Sequence, residues 1–248
     1  MIETTARRDF EYDNTYNRAL QSRVYNCLRD TVYADLHEKT GIKLFSYSPP
    51  IPPRNATKGD TRRFIFAGQD EDLITAIASD LCKNPELDLY EMAFRVDRAF
   101  SIDNPLGEQG TLTTGSPLII RFDQDSASEY NVETKYEKTY WQPEHGTELF
   151  FECLHKNLQR KFRLVFDADP PEPPYFTGYS FNRTVAKPLE FNDESVTFIG
   201  SEWSFDYEIR SGPHRKLLNL AFDCGLGELN ALGFGFMNRE VDVNGCSE

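Results

Sequence analysis

The chain has 248 residues, 39% hydrophobic and 13% aromatic, enough for one large domain or two small ones with a real core, which excludes a disordered chain. Its net charge is −13, from 40 acidic against 27 basic residues, so the surface as a whole repels nucleic acid. No apolar run approaches the ~20 residues that span a bilayer, and residues 1–8 lack the apolar core of a signal peptide, which reads as a cytoplasmic protein without a membrane partner.

In chain order, Leu20, Val24, Cys27 and Leu28 recur at helical spacing, with Asp13-Asn14 or Thr15 to cap the start and Tyr25 close to the apolar stripe. Residues 43–48 alternate like a strand and are stopped by Pro49-Pro50. A loop to Asp60 follows, then a strand over 62–67 that pairs back on the first. Leu73, Ile74, Ile77 and Leu81 share a face of a second helix over 70–84, capped by Asp70. Residues 87–102 read as an extended segment. With a weak first strand, this order is the βαββαβ pattern of a ferredoxin-like unit.

Residues 103–115, with three glycines and a proline, read as the joint between halves. The second half opens with a strand over 117–122. A helix over 144–163 turns Leu149, Phe150, Cys153, Leu154 and Leu158 inward. After the break at Pro170–Pro174 come strands near 177–181, 184–191 and 196–209, partly ambiguous in number. A short helix over 213–222 leads into a glycine loop and a last strand over 233–241. The predicted fold class is α+β, two tandem ferredoxin-like (RRM-like) βαββαβ domains, 1–108 and 109–248. Such sheets are a common platform for single-stranded RNA.

Five cysteines (Cys27, Cys82, Cys153, Cys224, Cys246) are an odd number with no Cys-x-x-Cys pair, so neither a zinc site nor a disulfide framework is expected. Cys27 and Cys153 lie at helical spacing among apolar residues and read as small core hydrophobes.

The most informative segment is the run 225–236, two Gly-x-Gly pairs (Gly225, Gly227 and Gly233, Gly235) separated by five residues. Glycine in a helix or strand interior costs roughly 0.5–1 kcal/mol relative to alanine. It is therefore kept where φ must be positive or where backbone amides approach a ligand. With Leu226, Leu232, Phe234 and Phe236 as anchors, the run reads as a rigid backbone cradle for phosphate. A dinucleotide fold does not fit: Asn230 stands where Gly-x-Gly-x-x-Gly needs its last glycine, and the preceding segment reads as helix, not strand.

Basic residues gather near this loop. Lys156, Arg160 and Arg163 fall at i, i+4 and i+7 opposite the apolar stripe, with Lys161 and His155 beside them. Arg210, His214, Arg215 and Lys216 precede the loop. An ordinary solvated helix face explains either cluster alone; two clusters flanking the cradle point to an anion.

Of four histidines, His37 sits where the first helix ends and the next strand begins, an exposed position for a side chain suited to proton transfer. Tyr25 precedes it by one helix length and Lys43 follows by six residues. Tyrosine, histidine and lysine together suit RNA cleavage without metal. Imidazole takes a proton from the ribose 2′-OH, or its cation protonates the departing 5′ oxygen. An ammonium or phenol steadies the charge on phosphate. The plainer reading of His37 is a surface or capping histidine.

Tyr25-Asn26, Leu36-His37-Glu38, Gly41 and the segment 43–48, then Gly115-Ser116-Pro117-Leu118, then the Gly-x-Gly-x5-Gly-x-Gly loop resemble the CRISPR repeat-processing endoribonuclease family of the RAMP superfamily. The resemblance spans most of the chain and implies two tandem ferredoxin-like domains with the glycine loop between them. It implies catalytic His37, Tyr25 and Lys43; the RNA-binding candidates, the loop glycines together with Lys156, Arg160, Arg163, Arg215 and Lys216, come from the cradle and the charge clusters. It further implies metal-independent cutting of CRISPR precursor RNA within repeats into guide RNAs, with 2′,3′-cyclic phosphate and 5′-hydroxyl ends and no cofactor. Other CRISPR-associated effector subunits are a further class of partner, and a non-catalytic RAMP-type RNA-binding subunit is the alternative.

Two departures stand out. Relatives often carry a cation inside the glycine loop, whereas here the five residues are Glu228-Leu229-Asn230-Ala231-Leu232, so Arg215, Lys216 or the second-half helix must supply it. The segment from Tyr25 to His37 is also short. The acidic shell fits a salt-rich host such as a halophilic archaeon. There salt strips away electrostatic phosphate affinity, and RNA recognition leans on stacking and base hydrogen bonds.

Overall fold

The computed structural model describes residues 1–134, 136–191 and 194–240. Val241, the expected end of the last strand, and Cys246 lie outside the described residues.

The N-terminal half runs β1 (Ile2–Ala6), α1 (Asn17–Cys27), β2 (Phe45–Tyr47), β3 (Thr61–Phe64), β4 (Phe66–Gly68), α2 (Glu71–Lys83), β5 (Glu86–Leu89) and β6 (Met92–Ala99). Strand β1 lies centrally, antiparallel to β3 on one side and β6 on the other, and β5 forms the edge beyond β6. β2 pairs with β4, and the Ile51–Arg63 bridge carries that hairpin onto β3. The spatial order β2, β4/β3, β1, β6 is therefore ferredoxin-like with one added edge strand. The expected extended segment 87–102 is in fact the β5–β6 hairpin. It turns at Tyr90, whose φ of 57° is left-handed.

Leu20 and Val24 of α1 and Leu73, Ile77 and Leu81 of α2 pack on Ile2, Phe64, Leu87 and Phe94 of the sheet. Fully burying each such side chain stabilises by about 1.5–3 kcal/mol. Asp70 caps α2 by accepting from the amides of Asp72 and Leu73 at 3.0 and 3.1 Å. No side chain caps α1. Asp13 instead accepts from the amide and hydroxyl of Thr15, both at 2.7 Å, and closes a turn just ahead of the helix.

The C-terminal half runs β7 (Gln109–Thr114), β8 (Arg121–Phe122), α3 (Gln124–Glu129), β9 (Thr139–Tyr140), α4 (Thr147–Phe166), β10 (Gly178–Phe191), β11 (Glu194–Glu208), α5 (Gly212–Cys224) and β12 (Met237–Arg239). Its sheet has the order β10-β11-β7-β12, the same split pattern, with α4 and α5 as crossovers. The first strand is β7, inside the stretch read from sequence as a joint; glycines mask its pattern. Residues 117–122 hold only isolated bridges, Leu118–Ser201 and Ile119–Glu228, before the two-residue β8. The two strands expected near 177–181 and 184–191 are one, interrupted by a bulge between Phe181 and Arg183. The core centres on Trp203, stacked on Phe150 with ring centroids 4.3 Å apart.

Candidate functional site

Tyr25 stands in the last turn of α1. The chain then folds back through a 3-10 turn over Ala34–Leu36, which His37 caps. This reversal brings the two rings together despite the short segment: their centroids are 6.0 Å apart. The His37 side chain is 55% exposed, with Nε2 3.7 Å from Glu38 Oε1 and Nδ1 3.3 Å from the Ala34 carbonyl. Burial pushes the Tyr25 phenol above its ordinary pKa, so near neutrality it stays a hydrogen-bond donor. Lys43 is half-buried and donates to the Lys39 carbonyl. Burial, with Lys39 adding, lowers its pKa. Its ammonium is thus engaged with its own bend, not with the two rings.

The glycine loop departs from the expected cradle of bare amides. Gly225, Gly227, Gly233 and Gly235 all have positive φ, 80°, 66°, 84° and 69°, which explains the residue type. All four are buried, however. The Gly233 amide donates to the Asn230 carbonyl at 2.8 Å and that of Gly235 to the Pro117 carbonyl at 2.9 Å. A Cβ at Gly233 would stand 2.6 Å from the Tyr47 ring and 2.7 Å from Asn17 Nδ2. The requirement for glycine there is close packing between the halves.

A charge sits under the loop. Lys161, read from sequence as lying beside the exposed cations, is fully buried. It donates to the carbonyls of Gly225 and Gly227 and to Asn230 Oδ1. Burial lowers its pKa to about 8, with Cys224 and Glu228 opposing. The signal for this was present: Lys161 follows Leu154 and Leu158 by seven and three residues, on the inward stripe of α4. Asn230 carried no comparable signal.

The loop lies on the seam between halves. Asn17 Nδ2 donates to the Leu232 carbonyl at 2.6 Å, and Gln21 Nε2 to that of Ala231 at 3.1 Å. The Cys224 thiol reaches the Leu44 carbonyl at 3.1 Å, so Lys43 adjoins the point where α5 turns into the loop. Gln69 Nε2 donates to Asp223 Oδ2 at 2.8 Å across the same seam. Burial raises the Asp223 pKa to about 6, with the Gln69 bond opposing.

Lys156, Arg160 and Arg163 are exposed along the outer face of α4, with Lys156 2.9 Å from Glu152. Arg215 is committed elsewhere, to Glu108 and the Leu106 carbonyl. Lys216 stands 5.4 Å from the centre of the Phe166 ring. The structure therefore leaves Arg160 and Arg163 the most available of these cations and Arg215 the least.

A family model described as CRISPR associated protein Cas6, C-terminal, matches residues 103–239. The chain is 32% identical, over 96% of its length and 92% of the relative's, to a CRISPR-associated endoribonuclease Cas6 of Haloferax mediterranei. The chain belongs to the Cas6 family. It is also 25% identical, over 96% of its length and 97% of the relative's, to CRISPR-associated endoribonuclease Cas6 2 of Methanocaldococcus jannaschii. Two solved structures share the fold at TM-scores of 0.72, each covering 97% of this chain and 98% of the other. One is a CRISPR associated protein Cas6 at 17% identity; the other is described as a RAMP protein binding different RNA substrates, at 19%. The tandem ferredoxin-like architecture is thus that of the Cas6 fold. Among the described residues no helix is long and apolar enough to cross a membrane.

Proposed function

We propose that this chain is a metal-independent endoribonuclease that cuts CRISPR precursor RNA within its repeats to give guide RNAs. The observation that carries this reading is an exposed imidazole, His37, paired with the Tyr25 ring in a chain with the Cas6 fold. In the proposed reaction the ribose 2′ oxygen attacks the adjacent phosphorus and gives up its proton to a base. The P–O5′ bond then breaks, and the leaving 5′ oxygen takes a proton. The products are a 2′,3′-cyclic phosphate and a 5′-hydroxyl. His37 holds or accepts one of these protons, and the Tyr25 phenol donates to the phosphate oxygens. Lys43 contributes once RNA draws its ammonium from the Lys39 carbonyl.

Residues 1–108 and 109–248 act as the two domains. Arg160, Arg163, Lys156 and Lys216 meet the RNA backbone, while the glycine loop contributes by shape. The protein works in the cytoplasm without a cofactor, on precursor RNA and alongside other CRISPR-associated effector subunits. The endoribonuclease names of the Haloferax and Methanocaldococcus relatives support the activity.

A second reading, an RNA-binding subunit that does not cut, is favoured by one observation: the Lys43 ammonium is turned to the Lys39 carbonyl. Incubating the protein with a repeat RNA and a chelator decides between them. Wild type is expected to cut and His37→Ala to bind without cutting. An inactive wild type that still binds RNA establishes the second reading, and equal rates for the two proteins remove His37 from the mechanism.

A further inference from the structure

Helix α4 carries a charge where its pattern calls for hydrocarbon. Leu154, Leu158 and Phe162 are buried on its inner face, and Lys161 shares that face with no exposed surface. An ammonium taken out of water needs acceptors for all three protons. Lys161 Nζ has three: the carbonyls of Gly225 and Gly227 at 2.7 and 2.9 Å, and Asn230 Oδ1 at 2.8 Å. The two carbonyls belong to the first Gly-x-Gly bend. Asn230 extends the grip to the second, since its Nδ2 donates to the Leu226 and Phe234 carbonyls at 3.0 Å each.

One cation therefore ties both bends to α4, and the loop in turn grips the helix that bears Tyr25. The Leu232 and Ala231 carbonyls receive Asn17 and Gln21 of α1. The five residues between the bends include no lysine or arginine of their own, and their one charge, Glu228, is held by Arg121. The positive charge that organises this loop comes from beneath it.

We propose that Lys161 is a positioning residue for RNA cleavage: its ammonium fixes the glycine loop, and through the loop the seat of α1, so that Tyr25 and His37 face the scissile phosphodiester in register. This role rests on the function proposed above. A neutral side chain of equal length leaves three acceptors without a donor. Arginine does not substitute, because its planar fork cannot aim three protons from a single nitrogen.

The test is single-turnover cleavage of a repeat RNA under saturating protein, with RNA affinity and circular dichroism measured in parallel. Lys161→Met is expected to cut roughly 10–100-fold more slowly while affinity stays within about threefold, the signature of misplacement rather than lost binding. Lys161→Ala should regain part of its rate with added n-propylammonium and none with n-propanol. Gln21→Ala, which cuts one of the two links from loop to α1, should slow cleavage about threefold, and its effect should combine with Lys161→Met less than multiplicatively. Wild-type rate in Lys161→Met, equal rescue by propanol, or a multiplicative double variant would each overturn the role. Should the Lys161 variants not fold, Gln21→Ala decides alone: slowed cutting at unchanged affinity upholds the linkage and an unchanged rate ends it. An inactive wild type overturns the function itself, whereas an active wild type matched by Lys161→Met overturns only Lys161.

Discussion

The two halves share one topology but place their key residues in opposite surroundings. In the N-terminal half His37 is 55% exposed at the end of a helix, on a turn, with a tyrosine ring beside it. In the C-terminal half Lys161 and the four loop glycines are buried, and the ammonium has every proton assigned. An exposed imidazole exchanges protons with solvent and substrate, which catalysis of proton transfer requires. A buried, fully bonded ammonium gives up that freedom and gains a fixed position. A repeated fold has thus been divided between an exposed edge, which we propose to be the reactive one, and a rigid abutment, joined at a seam that includes side-chain-to-backbone hydrogen bonds.

The comparison is tested most severely by removing the imidazole proposed to react. His37→Ala is expected to lower single-turnover cleavage by about 10²–10⁴-fold, with RNA affinity and melting temperature nearly unchanged. A large loss of stability would mean that His37 is a structural cap instead. On the other side of the seam, Gly233→Val should act through the fold. It combines a left-handed backbone with a Cβ 2.6 Å from the Tyr47 ring, and a cost of about 2–5 kcal/mol follows from adding the two kinds of strain. A denaturant titration giving wild-type stability would show that the loop is not the abutment described.

A smaller effect separates outer cations from inner ones. Arg160→Ala and Arg163→Ala should each weaken RNA binding across sequences and reduce the salt slope by about 1. Arg215→Ala, whose guanidinium is committed to Glu108, should leave that slope unchanged; an equal fall for all three would mean the exposed face of α4 is not special. The smallest effect concerns the seam. The Asp223 pKa is raised from 3.8 to about 6, so the folded state holds the extra proton between those values. Its contribution is present below pH 3.8 and lost as pH rises through about 6. Asp223→Asn should therefore melt about 2–4 °C higher than wild type at pH 7.5, with the gain vanishing near pH 4. A gain independent of pH would remove the carboxylate from this account.

Much of the architecture could be read along the chain. The apolar spacing of α2 and α4 and the cap at Asp70 depend on neighbours within a turn or two, and the structure reproduces them. Misreadings arose where local pattern and partner disagree. Strand β7 carries Gly110 and alternating threonines, so it looks like a linker until the flanking strands β11 and β12 claim it. The bulge in β10 breaks the period-two alternation and mimics a turn. Lys161 lay on the apolar stripe by count, yet exposed basic neighbours drew it into their group.

The amino-acid order alone settled the two ferredoxin-like units, the family motifs and the positive-φ requirement at the loop glycines, because each follows from periodicity or from the conformational range of single residues. Tertiary structure decided what those glycines serve. Asn17 meets the Leu232 carbonyl across 215 residues of chain, and the Gly235 amide turns inward to the Pro117 carbonyl, which the second half's own fold brings to it. Positive φ fixes how a peptide bends, but the direction its amide finally faces depends on which distant surface packs against it.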